Sequence, residues 1–327
     1  MSTTVRAGID PLKKPDQLIQ QVIDNMEKVM VGKRSVIELC LTGLIARGHV
    51  LLEDVPGVGK TMLVRSLAKS LACQFKRIQF TPDLLPSDVT GTAIYNQRLA
   101  DFEFRPGPVF TQILLADEIN RTSPKTQASL LEALEEKSVT ADGVTYQLPS
   151  PFFVLATQNP IEYEGTFPLP EAQLDRFLMK LAMGYPTPEE EIQVLRRGTA
   201  GMTIEQLTPV AAPEDITMWQ SEAAAVMFDD SLYSYVVQIV SQTRQHPQVY
   251  LGVSTRGAVA LTKAAQAYAY VQGRNYVIPD DVKLLSPWVL SHRMMMETDA
   301  AYQNITPHQV IQDILANTPV PVLPQRR

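Results

Sequence analysis

Gly57, Gly59, Lys60 and Thr61 form the strongest chemical pattern in the chain, within the stretch LLEDVPGVGKTM. Glycines let backbone N–H groups approach a phosphate, the lysine reaches its oxygens, and the threonine hydroxyl binds Mg²⁺. The common pattern G-x-x-x-x-G-K-[ST] needs an earlier glycine as well, and position 54 holds an aspartate instead. Asp54 either caps a local turn with its side chain turned away, or points inward and repels the phosphates. The loop alone leaves both arrangements open, together with a chance match that only begins a helix.

An acidic pair, Asp117 and Glu118, ends the apolar stretch ILLADE. Burying carboxylates at the end of a strand costs free energy unless partners or a functional role compensate for it. Beside a phosphate loop, the aspartate would orient the Mg²⁺ sphere and the glutamate would activate a water molecule as a general base. The alternative is that the pair caps the next turn. The phosphate loop makes the catalytic interpretation the better one.

Three further residues could take part in phosphoryl transfer. Asn159 follows the run FFVLATQ, Arg176 lies in LPEAQLDRF, and Arg256 lies in VSTRGAV. The amide of Asn159 can hold an attacking water or the γ-phosphate, although an Asn–Pro pair is also an ordinary turn breaker. Arginine suits the charge that develops on a transferring phosphoryl group. A lone arginine is otherwise an ordinary surface cation.

The first half of the chain alternates short apolar runs with helical patterns, and these elements must position the side chains above. Five runs predict strands: HVLLED, FKRIQF, QILLADE, FFVLATQN and FLMKLAM. Between them, KTMLVRSLAKSLA and KTQASLLEALEEKS carry apolar residues at helical spacing. Strands alternating with helices predict an α/β fold with a mainly parallel sheet covered on both faces.

The second half becomes helical after GYPTPEEE, and most of its predicted helices begin with Pro, Ser or Asp. The boundary falls near residues 184–188, which predicts two domains, 1–186 and 187–327. Two β-type insertions interrupt the first domain, near 90–110 and 138–150. The second insertion contains an Asp-Gly pair between β-favouring residues, a strong hairpin signal.

Composition and charge narrow the class of protein. The 327 residues carry a net charge of −6, with a pI near 5.4, so no general attraction to nucleic acid is expected. Two cysteines predict free thiols in a reducing compartment, and the four histidines match no zinc spacing. No signal peptide or apolar run of membrane-spanning length is visible. We therefore expect a cytoplasmic protein without a membrane span.

Taken in order, LLEDVPGVGKT, LLADEINR, ATQNP, EAQLDRF and STRG resemble a MoxR-family AAA+ ATPase, and the resemblance covers nearly the whole chain. It implies a P-loop core with five parallel strands in the order 5-1-4-3-2, followed by an all-α lid. It also implies that ATP or ADP contacts Val31, Gly32, Pro56, Gly57, Val58, Gly59, Lys60, Thr61, Met62, Asp117 and Arg256, with Thr61 and Asp117 serving Mg²⁺.

The resemblance assigns the catalytic roles as well. Glu118 matches the catalytic base, Asn159 matches sensor 1, Arg256 matches sensor 2, and Arg176 matches the arginine finger that acts on a neighbouring subunit. Arg121 is a second candidate for that contact between subunits. Members of the family often carry a residue other than glycine at the first loop position.

Because the family tolerates this departure, we expect the Asp54 carboxylate to point away from the phosphates. The change Asp54→Gly should then leave ATP affinity within a few-fold.

At the level of function, the resemblance implies a homo-hexameric remodelling ATPase that acts with a von Willebrand A domain protein on a protein client. Two alternatives stay open from the residues. A nucleic-acid motor shares the general architecture but conflicts with the acidic balance. A nucleotide-binding switch that does not turn over would have no need of a base at Glu118.

Overall fold

The computed structural model describes residues 15–98, 100–159, 166–199 and 203–321. Strands and helices are interspersed as far as residue 181, and helices dominate from residue 188 onward. The strands are β1 (Val50–Glu53), β2 (Phe75–Gln79), β3 (Gly91–Asn96), β4 (Asp101–Pro106), β5 (Ile113–Asp117), β6 (Ser138–Ala141), β7 (Val144–Gln147), β8 (Phe153–Gln158), β9 (Met179–Leu181), β10 (Val249–Leu251) and β11 (Met295–Met296). The helices are α1 (Pro15–Glu27), α2 (Arg34–Ile45), α3 (Lys60–Ser70), α4 (Pro86–Thr90), α5 (Pro124–Glu136), α6 (Glu171–Leu174), α7 (Pro188–Thr199), α8 (Pro213–Ala224), α9 (Asp230–Gln245), α10 (Thr255–Val271), α11 (Pro279–Leu290), α12 (Thr298–Tyr302) and α13 (Pro307–Asn317).

Five strands form one parallel sheet in the spatial order β2-β5-β8-β1-β9. If only these five strands are numbered in chain order, the spatial order is 2-3-4-1-5. Counted from the other side of the sheet this is 5-1-4-3-2, so the expected order is confirmed. The first five residues of β8 are all buried, as expected of a strand covered on both faces. All five strands coincide with the apolar runs that predicted them.

The direction of the strands decides which residues can meet. β1 and β5 both pair in parallel with β8, so the carboxyl ends of these three strands lie at one edge of the sheet. The loop after β1, the acidic pair at the end of β5 and Asn159 after β8 therefore come together there. β9 runs the same way, with Met179 beside Val50. Residues just before β9 and β1 consequently lie at the opposite edge.

Both predicted insertions are antiparallel hairpins, β3–β4 and β6–β7. The second turns at Asp142 and Gly143, whose φ angles of 49° and 79° are both positive. Positive φ at both central residues is the requirement of a type I′ turn, and it explains the Asp-Gly pair. The rings of Phe104 and Tyr146 stack with centroids 4.1 Å apart, which joins the two hairpins.

Two apolar clusters cover the two faces of the sheet. The larger joins one face to α1, α2, α3 and the helices after residue 210, including the fully buried Trp219 and Tyr235. The smaller lies between the other face, α5 and the β6–β7 hairpin. Because the larger cluster contains residues from both predicted domains, the division at 186/187 stays a proposal. The regular structure does change there, since residues 182–187 form neither helix nor strand.

The later helices begin where the start signals predicted. Pro213 and Pro279 occupy the first turns of α8 and α11, where a missing N–H costs nothing. Asp215 and Asp281 accept hydrogen bonds from backbone N–H groups three residues earlier. Elements that the sequence analysis did not identify are α1, α2, α4, α6, α12, α13 and the β10–β11 pair.

Candidate active site

The loop between β1 and α3 has the backbone of a phosphate-binding turn. Gly57 and Gly59 have φ angles of 88° and 94°, a region that side chains disfavour. A Cβ at Gly57 would meet nothing within 4 Å, so the backbone conformation alone requires glycine there. α3 begins immediately afterwards at Lys60, which directs free N–H groups of its first turn at the loop.

The Asp54 carboxylate faces the segment after β9, away from these amides. Its Oδ2 accepts hydrogen bonds from the backbone N–H of Met183 at 2.6 Å and of Gly184 at 2.7 Å. Its Oδ1 accepts one from the N–H of Val55 at 2.9 Å. The side chain is buried, and all its bonds go to backbone donors. The orientation expected from the family resemblance is therefore the one observed.

Lys60 points back along the loop. Its Nζ donates a hydrogen bond to the backbone oxygen of Asp54 at 2.7 Å. Burial lowers the pKa of Lys60, and the carboxylates of Asp54, Asp117 and Glu118 oppose that shift. The ammonium group thus lies among three negative charges, beside the cavity that a phosphate would enter.

Each carboxylate of the acidic pair has fixed partners. Asp117 Oδ1 accepts a hydrogen bond from the Thr157 hydroxyl at 2.6 Å, and Asp117 Oδ2 lies 2.6 Å from the Arg77 guanidinium. Glu118 Oε2 accepts from Gln79 Nε2 at 2.8 Å and from Arg121 Nη1 at 3.1 Å.

The backbone of Glu118 is itself strained. It lies in the left-handed region, with φ of 58°, a conformation that carries strain in a residue other than glycine and is commonest at functional sites.

A cavity of about 440 Å³ lies at this edge of the sheet. Its lining comprises Pro56, Gly57, Gly59, Lys60, Thr61, Met62, Arg65, Asp117, Glu118, Asn159 and Ile204. The loop, the acidic pair and Asn159 are therefore brought together as predicted. Arg65 and Ile204 were missed. Arg65 lies four residues after Thr61 on the same helix face, so helical spacing could have indicated it, whereas nothing in the sequence marks Ile204.

Val31, Gly32 and Val58 of the predicted nucleotide site do not line this cavity. Val58 packs against the larger apolar cluster. Val31 is buried and Gly32 has φ of 67°. A Cβ on Gly32 would collide with the Glu190 side chain on α7. The base-contacting role of Val31 and Gly32 remains a prediction.

Arg176 and Arg256 lie elsewhere, in a second cavity of about 520 Å³. Arg176 precedes β9, and His49, which also lines this cavity, precedes β1. Both positions belong to the opposite edge of the sheet, roughly 13 Å away along a four-residue strand. The placement of Arg256 does not fit a contact with a nucleotide on the same chain. Arg121 stays at the first edge, paired with its own Glu118.

The second cavity is strongly positive although the protein is acidic overall. Its lining includes the cations Arg47, Lys137, Arg176, Arg256, Lys263 and Arg293, against the carboxylates Glu135 and Asp175. Arg176 pairs with Glu135, and the buried Arg293 pairs with Asp175 at 2.6 Å. Burial lowers the pKa of Lys137, and the nearby charges of Arg47 and Lys263 lower it further. Such a cluster of cations attracts an anion.

The residues at the first edge fit a magnesium ion. The Thr61 hydroxyl and the Asp117 carboxylate line one cavity, and Mg²⁺ prefers oxygen ligands, taking few from the protein and the rest from phosphates and water. Arg77 already neutralises part of the Asp117 charge. A bound ion would therefore share this carboxylate with the arginine.

A P-loop, an acidic pair after the third sheet strand, a 5-1-4-3-2 parallel sheet and a helical lid define an AAA+ protein. Two family models agree: "ATPase family associated with various cellular activities (AAA)" matches residues 49–179, and "AAA lid domain" matches residues 241–314. The relatives described in the next paragraph show that the chain belongs to the MoxR family of AAA+ ATPases.

It is 42% identical to Chaperone MoxR1 of Mycobacterium tuberculosis (strain ATCC 25618 / H37Rv), over 96% of this chain and 85% of that one. It is 59% identical to the uncharacterized protein YeaC of Bacillus subtilis (strain 168), over 93% of this chain and 95% of that one. The crystal structure of an inferred ATPase from Cytophaga hutchinsonii ATCC 33406 superimposes with a TM-score of 0.88. The sequence identity is 42%, and the match covers 94% of this chain and 96% of that one.

Among the described residues, no helix has the length and apolar character of a membrane span.

Proposed function

We propose that this protein hydrolyses ATP to ADP and phosphate, with Mg²⁺, at the interfaces of a ring formed by copies of itself. One observation carries the proposal. The phosphate loop with its base lies at one edge of the sheet, and the arginines suited to transition-state charge line a positive cavity at the other edge. One chain thus holds two halves of a site that cannot meet within it. A head-to-tail ring joins such halves, and the family resemblance favours a hexamer.

The loop amides and Lys60 would hold the phosphates of ATP. Glu118 would take a proton from the attacking water, which Asn159 would orient. Arg176 and Arg256 of the adjacent copy would offset charge on the transferring phosphoryl group. Mg²⁺, when bound, would neutralise charge on the phosphate oxygens.

The work done with this energy would be the remodelling of a protein client, together with a von Willebrand A domain partner. The relative named Chaperone MoxR1 supports a chaperone role. The β3–β4 hairpin offers a contact surface, since Tyr95 and Phe102 are exposed although their rings pack together at 5.4 Å. Exposed aromatic side chains are typical of protein contact sites. The free cysteines, Cys40 and Cys73, support a cytoplasmic location.

A nucleic-acid motor has less support. The β6–β7 insertion, residues 138–150, contains Asp142 and neither lysine nor arginine. Neutralising a phosphate backbone requires such cations.

ATP turnover by the purified protein, compared with a Lys60→Ala variant, tests the enzyme. We expect wild-type specific activity to rise with protein concentration as the ring assembles, and activity equal to that of Lys60→Ala would refute hydrolysis. Mixing Arg176→Ala with Glu118→Gln tests the shared site. Each variant alone should be inactive, whereas mixed rings pair an intact base with an intact arginine. The absence of rescue in rings that exchange subunits would contradict the role of Arg176 between subunits.

A further inference from the structure

Residues 183–185 connect the last sheet strand to α7 and the helical region, and two charged side chains hold this segment. Asp54 accepts the N–H groups of Met183 and Gly184 through one carboxylate oxygen. Lys33 donates from Nζ to the backbone oxygens of the same segment, at 2.8 Å to residue 183, 3.1 Å to residue 184 and 3.4 Å to residue 185. We call Asp54, Lys33 and residues 183–185 the linker clamp.

The linker clamp is a built arrangement. Asp54 and Lys33 are 9% and 8% exposed, and burying a charge is costly unless its hydrogen-bonding groups are satisfied. Within the described residues the two side chains form no ion pair with each other, and each bonds backbone groups of the segment between them. Gly184 has φ of 63°, which lets consecutive N–H groups converge on one anionic oxygen.

The same aspartate also contacts the phosphate site. Its backbone oxygen accepts the hydrogen bond from Lys60 at 2.7 Å. An ammonium group has three donors, so Lys60 can keep one on the Asp54 oxygen while the others reach the phosphates of ATP, and its position then depends on both contacts. Asp54 therefore meets Lys60 through its main chain and the linker through its side chain.

We propose that Asp54 is a positioning residue that, with Lys33, couples phosphate binding at Lys60 to the segment 183–185. Through the segment 183–185, the linker clamp sets the placement of the helical region that carries Arg256. The inference rests on the ATPase function proposed above and explains the aspartate at the first loop position. A glycine there could bind phosphates but could not hold the linker.

The prediction separates nucleotide binding from turnover. Asp54→Ala should keep KM for ATP within about threefold and lower kcat by about ten- to a hundredfold, as expected when arginines are misplaced. Lys33→Met should act in the same direction. Asp54→Asn, which keeps an acceptor oxygen, should recover part of the kcat. Asp215→Ala is the matched control: it removes a carboxylate on α8 that accepts the backbone N–H of Ala212, and both constants should stay at wild-type values.

Amide hydrogen exchange gives a readout independent of turnover. Adding ADP to wild-type protein should change exchange in residues 183–199, and Asp54→Ala should bind ADP but lose that change. If Asp54→Ala fails to fold, Asp54→Asn and Lys33→Met carry the same comparison. Wild-type kcat with a retained exchange response in the folded variants would overturn the proposal, as would a large gain in ATP affinity. If the wild type has no ATPase activity, the proposed function is refuted. The linker clamp is then still tested by the exchange response to ADP.

Discussion

Arg77 holds the carboxylate of Asp117 from the neighbouring strand, with Nη2 at 2.6 Å and Nε at 3.1 Å from Oδ2. Its Nη2 also donates to Gln79 Oε1 at 2.6 Å, and Gln79 donates in turn to Glu118. Both residues of the acidic pair are therefore bonded to side chains of β2. This strand leads through α4 to the β3–β4 hairpin, so the proposed contact surface and the acidic pair share one connection.

Removing the Arg77 charge should strengthen magnesium binding. The guanidinium is about half exposed and competes with the ion for Asp117. Exposed pairs of this kind contribute about 0.2–1 kcal/mol, so Arg77→Met should lower the Mg²⁺ concentration for half-maximal ATPase activity by up to about fivefold. Thr157 still orients the carboxylate through Oδ1. A magnesium titration of steady-state turnover measures the effect.

Lys76→Met supplies the matched control for Arg77. It removes one positive charge from the adjacent position of β2, where the side chain leaves the opposite face of the sheet. We expect its magnesium dependence to equal that of the wild type. A higher magnesium requirement in Arg77→Met would show that the arginine positions Asp117 more than it competes for it.

Loss of the base should separate binding from chemistry. Glu118→Gln keeps the size of the side chain and a group for Gln79 and Arg121 to contact, but it cannot take a proton. Turnover should fall by about 10²–10⁴, the usual contribution of a general base. ATP binding, measured by titration calorimetry, should stay within about threefold. Glu132→Gln, an exposed change on α5, is the control, and an equal loss there would point to an unspecific effect.

Most of the framework followed from the sequence because its signals are local. Four of the five sheet strands are short, largely buried runs, whereas the edge strand β2 buries only Ile78. Parallel pairing then brings the loop, the acidic pair and Asn159 to one edge. The Asp-Gly pair specified its turn because few residues tolerate positive φ twice in succession.

The partners of the acidic residues were not predictable in the same way. Arg77 lies 40 residues from Asp117, and nothing local distinguishes it from an ordinary strand cation. The edge of the sheet at which Arg256 lies depends on how the helices after residue 210 pack against the larger apolar cluster. Periodicity in one helix does not encode that packing.

Arg256 should serve the nucleotide of a neighbouring copy. Arg256→Ala alone should lose turnover, and so should Lys60→Ala. In an equal mixture, about a quarter of the interfaces in a head-to-tail ring would join an intact phosphate loop to an intact Arg256. Activity should recover toward that fraction on mixing. As a control, Arg256→Ala is mixed with the double variant Lys60→Ala, Arg256→Ala, so that no ring contains an intact Arg256. Recovery of activity in this mixture would contradict the role of Arg256 between subunits.

Acid should destabilise the protein partly through His49. The buried imidazole accepts the Val154 N–H at Nδ1 and lies 3.2 Å from the Leu134 oxygen at Nε2, which fixes a neutral ring. Burial, together with a smaller effect of nearby Lys137, lowers the pKa of His49 from 6.5 to about 4. The unfolded chain therefore takes up this proton first, so the stabilisation is complete above pH 6.5 and is lost as the pH falls toward 4. Between pH 6.5 and 5 the loss is about 2 kcal/mol in the free energy of unfolding.

Urea unfolding at several pH values tests this prediction. His49→Gln keeps a donor and an acceptor but cannot ionise, so its free energy of unfolding should depend less steeply on pH than that of the wild type. Cys40→Ala is the control and should keep the wild-type slope, because burial raises the pKa of Cys40 to about 12. Equal slopes in wild type and His49→Gln would rule His49 out as the source.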